Sequence, residues 1–82
     1  MGYALQKNLL RRRYGNVCFL CQRELAVKEM QAHHLIPRSA GGTDDFFNLS
    51  IVCAECHRAI HKHPFGSEEY SQTMKKIEHF MM

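Results

Sequence analysis

The 82-residue chain has no long hydrophobic run. Its longest apolar stretches, around Leu49–Ala54 and Phe80–Met82, extend only a few residues, far short of the ~20 that span a bilayer. Met1 to Arg13 lacks both a hydrophobic stretch and a small-residue cleavage site, so no secretory leader is expected and the expected location is cytoplasmic. Nor is there a strong excess of one charge. Eleven Lys and Arg against eight Asp and Glu give +3 and a pI near 8.8, a mild bias toward polyanions below the pI of about 9 that marks a strongly basic nucleic-acid domain. Internal repeats, low-complexity tracts and room for a second domain are absent as well. One domain over residues 1–82 is expected, with its motifs in a core at 18–63.

Apolar residues at 45% and charged residues at 23% exclude disorder and fibrous repeats. A chain of this size buries a modest share of its surface, and small domains often need a metal or disulfide staple. Four Cys and six His stand out against that need. Without export the thiols stay reduced, which favours metal ligation over disulfides.

Leu5, Leu9 and Leu10 recur at helical spacing over residues 3–14, with Arg11, Arg12 and Arg13 in the last turn before Gly15. This pattern predicts a short amphipathic helix whose arginines form a solvated, dipole-compatible face or contact backbone phosphates. Leu25–Met30 is ambiguous. Met30 to Ile36 reads as a strand ending at Pro37, Ser39–Asp45 as a loop, and Asn48–Val52 as a second strand. A helix from Cys53 to about His63 stops at Pro64 and Gly66. Ser67 then caps a last helix, along which Tyr70, Met74, Ile77 and Met81 are expected to pack on the domain. The methionines near its end suit either a core plug or a partner site.

Cys18–Cys21 and Cys53–Cys56 form two C-x-x-C pairs. Each presents two thiolates from one turn, and together they complete the tetrahedral four-sulfur shell of structural zinc. The pairs are separated by 31 residues, more than the roughly 15–20 of a simple zinc ribbon, so something substantial is inserted between them. Cys53–His57 also reads as C-x-x-C-H, the pattern of c-type haem attachment. That reading leaves Cys18 and Cys21 without a role and demands export.

The inserted segment holds His33 and His34, then Pro37, Gly41, Gly42, Asn48 and Leu49, and the second Cys pair is followed by His57 and His61. Adjacent histidines on a strand point to opposite faces, so His33 and His34 cannot both be core residues. His57 and His61, four apart on a helix, share a face as a metal-binding pair does. Glu55 between the cysteines is expected to face solvent.

With these residues in this order, the chain resembles the HNH endonuclease family over residues 18–61. The resemblance implies a small α+β protein: a ββα-metal (HNH, His-Me finger) core with two zinc knuckles, flanked by an N-terminal and a C-terminal helix. It implies that His34 is the general base that takes a proton from the attacking water. His33, His57 and His61 would be ligands of a catalytic divalent ion, and Asn48 would pin an Ω-like loop and orient the base. The implied reaction is hydrolysis of DNA phosphodiester bonds to 5′-phosphate and 3′-hydroxyl ends.

A histidine pKa near 6.5 suits a general base at physiological pH. An all-nitrogen ligand set suits Zn²⁺, Ni²⁺ or Mn²⁺ better than Mg²⁺. Arg38, Arg58 and Lys62 are candidate nucleic-acid contacts, each weighed against an ordinary solvated side chain. His63 and His79 lie outside the pattern and are expected at the surface. Double-stranded DNA with weak sequence specificity is the expected partner, with a homodimer or larger complex left open. The competing function is a zinc-braced nucleic-acid-binding module that does not cleave. It would keep the cysteines and basic residues without needing His34, Asn48 and His57 together.

Overall fold

The computed structural model describes residues 3–82, with side chains from residue 5 onward; Met1 and Gly2 lie outside the described residues. Helix α1, Tyr3–Tyr14, ends where Gly15 takes a left-handed φ of +91° and donates its N–H to the Arg11 carbonyl at 2.8 Å. The expected apolar stripe is only partly used. Leu10 is fully buried, whereas Leu5 and Leu9 remain about two-fifths exposed. The helix docks instead along the i, i+4 row through Leu10 and Tyr14. The Tyr14 ring meets Phe19 edge-on at 5.2 Å, and its hydroxyl donates to the Met81 carbonyl at 2.8 Å. Arg11 reaches Asn8 and Asn16, and Arg13 lies over the Tyr14 ring, so both make local contacts.

The chain then turns through Cys18–Cys21, closed by a Val17–Glu24 bridge. Its Phe19 N–H donates to the Ile51 carbonyl at 2.8 Å, stitching the first cysteine turn to the sheet. The ambiguous 25–30 segment contains a single 3₁₀ turn, Val27–Glu29.

Strand β1, Gln31–His34, pairs antiparallel with β2, Leu49–Val52, placing Gln31 opposite Val52 and His33 opposite Ser50. Both strands are shorter than their apolar patterns suggest. Leu35 donates to the Asn48 carbonyl at 2.9 Å and Ile36 to the Asn48 side chain at 2.9 Å, so β1 leaves the ladder. Asn48 itself closes a 3₁₀ turn, Phe46–Asn48, rather than starting the strand. β2 is buried at all four positions.

Helix α2, Ala54–His61, follows at once, with Cys53 as its N-cap and Lys62 as its C-cap, two residues short of the expected end. Helix α3, Glu68–Met81, is capped by the Ser67 hydroxyl, which accepts from Tyr70 N–H at 3.2 Å. Tyr70, Met74 and Ile77 are buried on one face and Met81 packs half-buried against the core, whereas Met82 is 96% exposed, so the methionine-rich end is core only in part. Phe19, Leu49, Ile51, Ile60 and Ile77 sit at the centre of that core. No helix among the described residues is long and apolar enough to cross a membrane.

Candidate metal centres and active-site cleft

Each cysteine pair is shaped as a local donor pair. Cys21 N–H points at Cys18 Sγ at 3.5 Å, and Cys56 N–H at Cys53 Sγ at 3.4 Å. The knuckles meet because β2 carries Cys53 beside the Phe19 anchor, and all four sulfurs lie within 4.8 Å of one another. Burial opposes a charged Cys18, but N–H donors of Cys21, Cys53 and Leu20 outweigh it and lower that thiol to about 7. Burial and the neighbouring thiols push Cys56 strongly upward. Four thiols this close cannot all ionise without a cation, so the donor set fits zinc.

The second cluster lies between β1 and α2. His33 projects from β1 toward α2, where His57 and His61 stand one turn apart, and one ring nitrogen of each lies within 4.8 Å of the others. The His57 and His61 Nε2 atoms are 2.9 Å apart. The His33 ring is buried, and its Nε2 has no hydrogen-bond partner. A buried polar atom without a partner costs free energy unless something outside the protein satisfies it. Burial first, and then the neighbouring histidines, lower His33 to about 4, and burial also lowers His57, so both rings present lone pairs at neutral pH. Three converging imidazoles fit a divalent transition-metal ion.

Gln31, two residues before His33 and therefore on the same strand face, places its side-chain oxygen 2.6 Å from His57 Nδ1. The amide oxygen can only accept, so hydrogen sits on Nδ1 and Nε2 turns toward the cluster.

The His34 ring reaches the loop that carries Asp44. Its Nε2 lies 2.7 Å from Asp44 Oδ1, and Asp44 is also gripped by Arg38, Nε to Oδ1 at 3.1 Å and the guanidinium terminus to Oδ2. Hydrogen bonds from Arg38 first and His34 second lower the Asp44 carboxyl from its ordinary value. The Asn48 side chain bonds to backbone groups. It closes the 35–48 loop, accepting from Ile36 N–H and donating to the carbonyls of Ile36 at 3.0 Å and Thr43 at 2.7 Å. Gly42 makes this closure possible, because a Cβ there would overlap the Ile36 carbonyl.

A cleft of about 430 Å³ opens over the histidines, lined by His33, His34, Arg38, His57, His61 and Tyr70 among others. Tyr70 buttresses it from α3, its hydroxyl donating to the Leu35 carbonyl at 3.0 Å. The structure therefore gathers four of the expected site histidines at one cleft and the four cysteines at a second cluster. Arg58 and Lys62 are exposed on and just beyond α2 and do not line the cleft. His63 is half-buried and lines it, contrary to its reading as a surface residue. His79 and Glu55 are exposed as expected. Asp44, Gln31 and Tyr70 were not marked as site residues. Gln31 had one signal, its i−2 spacing from His33, and Asp44 had only its place after the glycine pair.

A two-stranded sheet packed on a helix, with an imidazole cluster between them and thiol pairs bracing the ends, defines a small ββα-metal protein. Residues 18–63, more than half of the chain, match the family described as HNH endonuclease, and the chain belongs to that family. A stretch of 48 residues is 35% identical to the type IV methyl-directed restriction enzyme EcoKMcrA of Escherichia coli (strain K12), covering 58% of this chain and 14% of that protein. A stretch of 45 residues is 38% identical to anaredoxin of Nostoc sp., covering 55% of this chain and 57% of that protein. The chain thus matches less than two thirds of either relative's own length.

Proposed function

We propose that this chain is a metal-dependent endonuclease that hydrolyses DNA phosphodiester bonds, with residues 1–82 forming one nuclease domain around the 18–63 core. The observation that carries the reading is the buried, unpartnered Nε2 of His33 facing His57 and His61, one strand position from a His34 held by a carboxylate. A solvated or purely structural histidine would not be buried with its ring nitrogen unsatisfied. Family membership supports DNA as the substrate, taken here to be cut with weak sequence specificity.

In this reading Cys18, Cys21, Cys53 and Cys56 hold a structural zinc, and His33, His57 and His61 hold a divalent ion, Zn²⁺, Ni²⁺ or Mn²⁺ in preference to Mg²⁺. Such an ion, when bound, would supply Lewis acidity at the scissile phosphate. His34 accepts a proton from water as the water oxygen bonds phosphorus and the bond to the 3′-oxygen breaks. The 5′-phosphate retains the water oxygen, and the 3′-oxygen takes its proton from solvent. Asn48 acts through the loop, holding the chain between His34 and Asp44 in one conformation. Arg58 and Lys62 sit outside the cleft and serve as backbone-phosphate contacts beyond the scissile bond.

Supercoiled-plasmid nicking with each metal in turn, beside His34→Ala, tests the reading. Metal-dependent nicking abolished by His34→Ala, with the cysteine-bound zinc retained, is the expected result. Plasmid binding without cleavage under every metal would instead identify a non-catalytic DNA-binding module.

A further inference from the structure

Resting on the nuclease reading, we propose that Asp44 is the positioning residue of the His34 base: its carboxylate holds the imidazole with hydrogen on Nε2 and makes Nδ1 the nitrogen that accepts the proton. The geometry is specific. Asp44 Oδ1 lies 2.7 Å from His34 Nε2, within the range of a strong charge-assisted hydrogen bond. A carboxylate accepts and cannot donate, so this contact selects one tautomer.

Many exposed Asp–His contacts are worth little, because both side chains must give up rotamer freedom to meet. Asp44 differs in being held already. The Arg38 fork engages both of its oxygens, and the backbone before it is tied by Asn48 to the Thr43 carbonyl and by Gly42 N–H to the Pro37 carbonyl. The loop that the Gly-Gly pair and Asn48 shape therefore delivers a preorganised carboxylate to His34. Its ionised form is favoured by the same Arg38 contact.

The cleft then contains two histidines with opposite tautomers, each set by an acceptor of a different kind. Gln31, a neutral amide, puts hydrogen on Nδ1 of His57 and turns Nε2 toward the imidazole cluster. Asp44, an anion, puts hydrogen on Nε2 of His34 and faces the charge that appears when Nδ1 takes a proton. A ligand histidine needs orientation alone; a base needs its protonated form stabilised as well. Arg38, read from sequence as a phosphate contact, has its guanidinium committed to Asp44 and acts at one remove from the base.

Two measurements on the zinc-loaded full chain test this. Long-range ¹⁵N–¹H imidazole spectra should show hydrogen on His34 Nε2 in the wild type and a mixed or reversed tautomer in Asp44→Ala. In plasmid cleavage, Asp44→Ala should lower kcat by about 10- to 100-fold, part of the ~10²–10⁴ that a general base contributes, with KM within about twofold. The same substitution should cost nothing further in a His34→Ala background rescued by free imidazole, because free imidazole needs no carboxylate to orient it. Asp44→Asn keeps the shape without the charge and should also lose kcat, which covers a poorly folding alanine variant.

Hydrogen on Nδ1 of His34 in the wild type, an unchanged kcat in both Asp44 variants, or a full additional loss in the rescued background would overturn the assignment. Failure of the wild type to cleave under any metal removes the nuclease reading itself. The spectra still decide the Asp44 contact in that case.

Discussion

Gln31 Oε1 lies 2.6 Å from His57 Nδ1, joining the first residue of β1 to the middle of α2. The contact orients one imidazole and also locks the strand to the helix whose separation sets the size of the histidine cluster. Gln31→Ala should therefore weaken divalent-ion binding at that cluster by about 10- to 100-fold, the usual cost of removing an outer-shell partner. Competition titration with a chromogenic chelator reads the change, with the cysteine site already filled with zinc.

His33 and His34 should separate cleanly when each is replaced. His33→Ala removes a ligand and should abolish ion binding at the cleft. His34→Ala should leave ion affinity within about threefold and remove cleavage, since a general base supplies ~10²–10⁴ in rate. Calorimetric titration beside plasmid nicking distinguishes the two. Equal loss of ion binding in both variants would place His34 among the ligands.

Removal of the cysteine-bound metal should unfold the chain. Zinc bound by a four-cysteine site supplies about 10–16 kcal/mol, more than the ~5–15 kcal/mol net stability of typical domains. The buried core meets the knuckles through Phe19, Cys18 and Cys53. Cys56→Ala, or an excess of strong chelator, should abolish the cooperative melting transition followed by circular dichroism. A retained transition at an unchanged Tm would exclude a zinc-dependent fold.

Asn48→Ala removes an acceptor from Ile36 N–H and donors from the carbonyls of Ile36 and Thr43. At roughly 0.5–1.5 kcal/mol net per hydrogen bond, with solvent replacing part of each, a loss of about 1–3 kcal/mol is expected. The Ile36 amide should lose protection in hydrogen exchange, while the amides of β2, whose residues are all buried, keep theirs.

Gly42→Ala should act on the same loop by a different route. Its Cβ would meet the Ile36 carbonyl, so the backbone must shift at a cost of about 1–3 kcal/mol. The shift moves Asp44, two residues on, away from His34. Cleavage should fall more than stability does, and denaturant melts beside kcat show whether the two losses part in that way.

The helices were readable because their signals are local. Ser67 before Glu68 and Glu69, and Tyr70, Met74 and Ile77 on one face, need no knowledge of the rest of the chain. Strand ends were less legible. Met30 and Ile36 look like strand residues, but the ladder stops where Asn48, twelve residues further on, captures Ile36. Leu5 and Leu9 carry the same apolar side chain as Leu10, yet only Leu10 lies on the row that meets Phe19 and the sheet. Periodicity marks an apolar face without saying which part of it a neighbour will cover.

Sequence alone determined which donor side chains fall close together: two C-x-x-C turns, adjacent histidines on a strand, and a His pair one helical turn apart. Backbone dihedrals dictate those short distances, so spacing is enough. Tertiary structure decided which groups those histidines answer to. Gln31 reaches His57 across 26 positions and Asp44 reaches His34 across ten, and these contacts exist only because β2 returns along β1 and Asn48 closes the loop between them. No local torsion rule encodes such a meeting. It depends on strand register and loop closure, which join residues far apart in the chain.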